Sequence, residues 1–184
     1  MALFLSGRLE DILAQEKKKV GMLLIDVQEG LLSAENDSIA NTKIKRMREL
    51  LLFGRANNYP LYTIELDPDE AGRTIPYLQN VLTGYSLARC ITKNGPSAFR
   101  RTTLKQDLQD DQVKALVLMG LSMNYCVLDS ARDARKHGFD VITSPSVMIG
   151  GLGGIDPFYL QHCRLYDDEL QQVTSPASER LSII

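Results

Sequence analysis

The chain has 184 residues, 44% of them apolar and 24% charged, with a formal net charge of −2. That suffices for one domain with a full core and excludes the basic footprint of a nucleic-acid or anionic-membrane binder. No apolar stretch approaches the ~20 residues of a membrane span, the start lacks the pattern of a signal peptide, and the three cysteines are widely spaced; a cytoplasmic protein with reduced thiols and a small-molecule partner is expected.

Leu9, Ile12 and Leu13 fall at helical spacing and predict a short leading helix within an extension over residues 1–19, with Lys17-Lys18-Lys19 as its solvated C-terminal cap. Residues 20–26 form an apolar strand, Ile44, Met47, Leu51 and Leu52 one face of a helix, and residues 60–65 a second strand, which is a βαβ unit. Residues 67–85, rich in Pro, Gly and charge, predict an irregular excursion of the kind that forms lids, with a short helix around 75–81. A third strand over 87–93 turns at Gly95-Pro96; a helix over 102–108 and a fourth strand over 115–119 follow. Val127, Leu128, Ala131 and Ala134 make the next helix face, Gly138 stops it, and 139–143 is a fifth strand. The glycines between 150 and 154 match neither a dinucleotide fingerprint nor a P-loop and read as a hinge or tight turn. A helix over 157–170 and a last strand over 172–174 complete the chain. The alternation predicts a single doubly wound α/β domain spanning 1–184, with a parallel sheet of about five or six strands and helices on both faces.

Three chemistry-bearing residues stand where strands of such a sheet end. Asp26 closes the run Val20-Gly-Met-Leu-Leu-Ile, Lys93 closes the third strand, and Cys126 follows the fourth strand and Gly120 at the start of a helix. A free cysteine is more often a small buried hydrophobe than a nucleophile. In an open α/β sheet, however, the ligand crevice lies at the carboxyl ends of the strands, so an acid, a base and a thiol meet at one rim. A helix start favours a thiolate, and its unpaired N–H groups can hold an oxyanion.

With those residues placed, the chain resembles the isochorismatase-like cysteine hydrolases, which include nicotinamidases and N-carbamoylsarcosine amidases. The first block is Leu23-Leu24-Ile25-Asp26-Val27-Gln28. The second is Lys93 followed by Ser97-Ala98-Phe99 and Thr102-x-Leu104. The third is Gly120 to Cys126-Val127 followed by Ser130-Ala131-x-Asp133-Ala134 and Gly138. The resemblance implies Cys126 as nucleophile, Asp26 as its proton acceptor and later donor, and Lys93 as the charge that holds the pair. It also implies a cis peptide at Leu121-Ser122, with the N–H groups of Ser122 and Cys126 as oxyanion hole, and a homo-oligomer without cofactor.

Departures from the family pattern narrow the substrate. The turn before the cysteine commonly carries Thr and Asp where this chain has Met123 and Asn124, which become candidate pocket residues; Gln28 either anchors the loop of Asp26 or touches substrate, and Phe99 either walls the pocket or is plain core. Nicotinamidases bind a metal through an Asp-x-His after the second strand. Here the stretch is Glu65-Leu66-Asp67, and no histidine precedes His137, so no such metal site and no nicotinamide substrate are expected. Isochorismate hydrolases generally lack the cysteine. Cys90 and Cys163 read as structural and His137 and His162 as surface residues; Arg100 and Arg101 are either solvated or receive a substrate carboxylate. The reading that follows is a metal-independent hydrolase of a small amide, ureide or N-carbamoyl compound acting through a Cys thioester. The alternatives are hydrolysis of a non-amide such as an ester or vinyl ether, or an inactive binding protein on the same fold.

Overall fold

The computed structural model of the chain describes residues 4–5, 9–32, 38–151 and 154–166. Their elements, in chain order, are β1 (Phe4–Leu5), α1 (Leu9–Gln15), β2 (Val20–Ile25), α2 (Glu29–Leu32), α3 (Ser38–Ala56), β3 (Leu61–Leu66), α4 (Pro68–Ala71), α5 (Pro76–Leu82), β4 (Ala88–Lys93), α6 (Leu104–Asp110), β5 (Ala115–Leu121), α7 (Leu128–Lys136), β6 (Asp140–Thr143), β7 (Met148–Ile149), α8 (Pro157–His162) and β8 (Arg164–Tyr166).

All pairings between the strands are parallel, in the order β1-β8-β6-β5-β2-β3-β4, with β7 also on β5. Strand period 2 divides the core between the two faces. Leu23, Ile25, Leu116 and Leu118 pack on the side of α6, α7 and α8, while Met22, Leu24, Val117 and Met119 pack on the side of α1, α3 and α5. The central strands β2 and β5 are buried throughout, as residues covered on both faces must be. From the β2–β5 pair the chain winds one way through β3 and β4 and the other way through β6 and β8. The switch point therefore lies at the carboxyl ends of β2 and β5.

Glycine is required where these two strands draw closest. Gly120, opposite Ile25, has φ +136°, and a Cβ there would stand 2.0 Å from the Ile25 carbonyl oxygen.

The anticipated doubly wound α/β sheet is present: six of its strands have three or more residues, and two-residue β1 and β7 extend it. Several local expectations need correction. On α3 the buried face is Ala40, Met47, Leu50, Leu51 and Gly54, and Leu52 lies outside it because five residues from Met47 is not a helical repeat. Helix α8 ends at His162, and β8 follows, where a longer helix was expected. The possible strand over 172–174 lies outside the described residues. Lys18 does not cap α1: its ammonium pairs with Asp140 at the start of β6.

The stretch after β3 is not a loose lid. It carries α4 and α5 and is tied down at two points. Buried Glu65 accepts hydrogen bonds from Thr74 N and Thr74 Oγ1, each 2.9 Å, and from Arg73 Nη1 at 3.0 Å. The amide of Gln28 donates to the carbonyls of Leu66 (2.9 Å) and Gly72 (2.6 Å) and accepts from Leu66 N (2.7 Å).

Candidate active site

Asp26 is the first residue beyond β2. Its N–H donates to the Ile64 carbonyl at 2.9 Å, and a positive φ of 55° turns the chain off the sheet there. Asp26 is 1% exposed. Lys93, the last residue of β4, reaches past β3 to place its Nζ 2.8 Å from Asp26 Oδ2, and its side chain is fully buried. Its three N–H groups have three acceptors: this carboxylate, the Gly95 carbonyl at 2.8 Å and the Pro96 carbonyl at 3.0 Å. The carboxylate is less well served. Apart from this contact with Lys93, neither Asp26 oxygen completes a hydrogen bond of good geometry among the described residues.

After β5 the Leu121–Ser122 peptide is cis, and Met123–Val127 form a π-helical turn that runs into α7. The Ser122 carbonyl accepts from Tyr125 N (3.0 Å) and Val127 N (3.2 Å), passing over the Cys126 amide between them. Tyr159, fully buried, fixes this turn by donating its hydroxyl to the Met123 carbonyl at 2.6 Å. On the outer side Gly151 lies against Met123, where a Cβ would meet its Cε at 2.1 Å.

The half-buried Cys126 thiol adjoins both charges. Burial and then the Asp26 carboxylate push its pKa up to about 11, against the pull of Lys93. Burial also raises the Asp26 carboxyl above its ordinary range, with Lys93 the main opposing influence. Near neutral pH Cys126 therefore rests as the thiol beside the Asp26–Lys93 pair. The pull of the helix start towards a thiolate is thus opposed by desolvation and an adjacent negative charge.

The structure brings Asp26, Lys93, Ser122 and Cys126 together at the switch point, and treats the remaining sequence candidates differently. Asn124 belongs to the turn that carries Cys126, donates from Nδ2 to the Gly154 carbonyl at 3.2 Å, and has a buried Oδ1 with no partner among the described residues. Met123 is buried under that turn. Of the two readings of Gln28, its full burial and the bonds of its amide to the Leu66 and Gly72 backbone fit the anchor and not the substrate contact. Phe99 is core, the second of its two readings: its buried ring packs on His137 and Phe139, past the C-terminal end of α7. Cys163 is buried in the core, whereas Cys90 is exposed on β4, where its thiol neighbours Thr63 and Glu65. Both histidines are exposed.

Glu65, at a strand end followed by Pro, Gly and charge, has the sequence context of a solvated residue. It is instead buried, and although burial pushes its carboxyl up, hydrogen bonds from Thr74 and Arg73 outweigh that and hold it below its ordinary range. Ser130, whose Oγ accepts from Ala98 N at 2.9 Å and so pins the segment after Lys93 to α7, and Tyr159 were not singled out as positioning residues. The recurrence of Ser130 in the third sequence block was the only signal for it; Tyr159 had none. No helix among the described residues is long and apolar enough to cross a membrane.

The fold is similar to that of N-carbamoylsarcosine amidase from Thermoplasma acidophilum, with a TM-score of 0.68 at 16% identity over 81% of this chain and 95% of that one. It is also similar to an isochorismatase from Pseudomonas putida KT2440 (TM-score 0.69, 19% identity, 85% and 94% covered) and to nicotinamidase from Bacillus subtilis (TM-score 0.65, 18% identity, 72% and 87% covered). In sequence, a secreted isochorismatase effector of Verticillium dahliae is 28% identical over 133 residues, 67% of this chain and 68% of that protein. The sequence profile of the isochorismatase domain matches residues 20–145, a stretch that runs from the first residue of β2 past β6 and contains Asp26, Lys93 and Cys126, and the chain belongs to the isochorismatase family of hydrolases.

Proposed function

We propose that the chain hydrolyses a small amide, ureide or N-carbamoyl compound through a thioester on Cys126. One observation carries the reading: a fully buried Asp26–Lys93 pair adjoins a thiol at the sheet's switch point. Burying two charges is costly, and an acid kept short of hydrogen bonds beside a thiol is suited to taking its proton.

In the first step Sγ attacks the carbonyl carbon as its proton passes to Asp26, and the carbonyl electron pair moves to an oxyanion held by the Ser122 and Cys126 N–H groups. The pair then returns, the C–N bond breaks, and the amine leaves with the proton from Asp26. Asp26 next takes a proton from water, the resulting hydroxide attacks the thioester, and Sγ departs and is reprotonated. Lys93 keeps Asp26 ionised between steps.

A second reading, hydrolysis of an isochorismate-like vinyl ether, draws support from the family and from the name of the secreted effector. Ammonia release from a panel of small amides, ureides and N-carbamoyl compounds, with a vinyl ether assayed in parallel, separates the two. The thiol amidohydrolase reading predicts ammonia from the wild type and at least a thousandfold loss in Cys126→Ala, in line with removal of a nucleophile. Vinyl ether turnover that survives Cys126→Ala would overturn it.

A further inference from the structure

A second cluster of donors lies on the other side of the catalytic lysine's loop. Along β4 the side chains alternate, so Lys93 points inward while Thr92 is exposed on the opposite face. There Thr92, Asn94, Gly95, Arg100 and Arg101 line an open cavity of about 320 Å³, within the range of small-molecule sites. No carboxylate lines it. Both arginines are exposed, but Arg100 is held in place. Arg100 is aimed by Asp133, a buried acid that receives its Nε at 3.1 Å and is itself held by Lys136 at 3.0 Å, and this leaves both Nη groups of Arg100 without an acceptor among the described residues. Arg101 has no ion-pair partner among the described residues, and its φ of 57° turns it back beside Arg100 at the cavity.

We propose that this cavity binds the phosphate group of a small molecule. Two guanidinium groups line one cavity and only one of them is paired with an acid among the described residues, so the cavity carries an excess of positive charge that an anion would offset. With a hydroxyl and a carboxamide beside them, they offer more donors than the two oxygens of a carboxylate can accept, which suits the three terminal oxygens of a phosphate. The site stands apart from the proposed reaction, yet shares the 94–96 loop whose Gly95 and Pro96 carbonyls hold Lys93 Nζ.

Because the site does not depend on the hydrolase reading, binding rather than turnover is its test. Calorimetric titration of the full chain with inorganic phosphate and with phenyl phosphate, at constant ionic strength, is compared with Arg101→Glu and Arg100→Gln, whose folds are checked by circular dichroism. Saturable binding by the wild type, weakened about tenfold or more in Arg101→Glu, is expected. Tighter binding of phenyl phosphate points to a phosphorylated metabolite as ligand, and equal or tighter binding of inorganic phosphate to the free ion; either supports the site. No saturable binding of either probe, or equal binding by folded Arg101→Glu, overturns it.

Discussion

At the level of single residues, the centre is an electrostatic unit in which each member sets the state of the others. Lys93 is the clearest case, because it is the only cation paired with the buried Asp26 among the described residues. Replacing it with methionine leaves an uncompensated buried carboxylate, at a cost of about 3–5 kcal/mol. The pH dependence follows from the sign of the shift. Without Lys93 the Asp26 carboxyl, already raised above 3.8 by burial, rises further, so it protonates on mild acidification and the destabilisation shrinks. Chemical denaturation of Lys93→Met should therefore show a large loss of stability at pH 7 and a smaller one near pH 5, whereas a loss independent of pH would count against a charged pair. The identities of all three residues were legible in the sequence, since each follows an apolar run. Their protonation was not, because desolvation of the thiol depends on what packs over it.

At the level of elements, the site is held by segments whose roles are tertiary. Glu65 at the end of β3 fastens the chain before α5 through three accepted hydrogen bonds. Glu65→Ala would leave the Thr74 donors unpaired in the interior and should cost about 1–3 kcal/mol, with faster proteolytic cleavage between β3 and α5. Since its folded pKa lies below the ordinary 4.5, the contribution is present above that value and fades as pH falls through the folded one. The mutant and wild-type stability curves should converge in acid, and parallel curves down to pH 2 would refute the assignment. Sequence alone could not supply this anchor. A glutamate after an apolar strand, followed by Pro, Asp and Gly, carries the composition of an exposed loop, and only the return of Thr74 beneath β3 buries it.

At the level of the whole molecule, strength of pattern decided what could be read. β2 and β5 announce themselves as continuous apolar runs because helices cover both their faces, and the switch point they define locates the site. The two-residue strands β1 and β7, the single-turn helices α2 and α4, and β8 have too few residues for any periodicity and form because neighbours are already in place. Phe99 shows a related limit: its position after Lys93 in sequence left pocket wall and core both open, and the chain packs its ring past the C-terminal end of α7.

Whether Asp26, Lys93 and Cys126 act as one coupled centre is read directly, without a substrate, from the rate of Cys126 alkylation by iodoacetamide against pH, in wild type and Asp26→Asn, followed by mass spectrometry of the Cys126 peptide. The wild-type rate should climb towards a pKa of about 11. Asp26→Asn removes the negative charge that raises that pKa and leaves Lys93 to lower it, so its profile should move to lower pH and its rate near pH 8 should exceed the wild type's, even as turnover is lost. Superimposable profiles for the two proteins would mean that the acid does not act on the thiol, and would contradict that coupling.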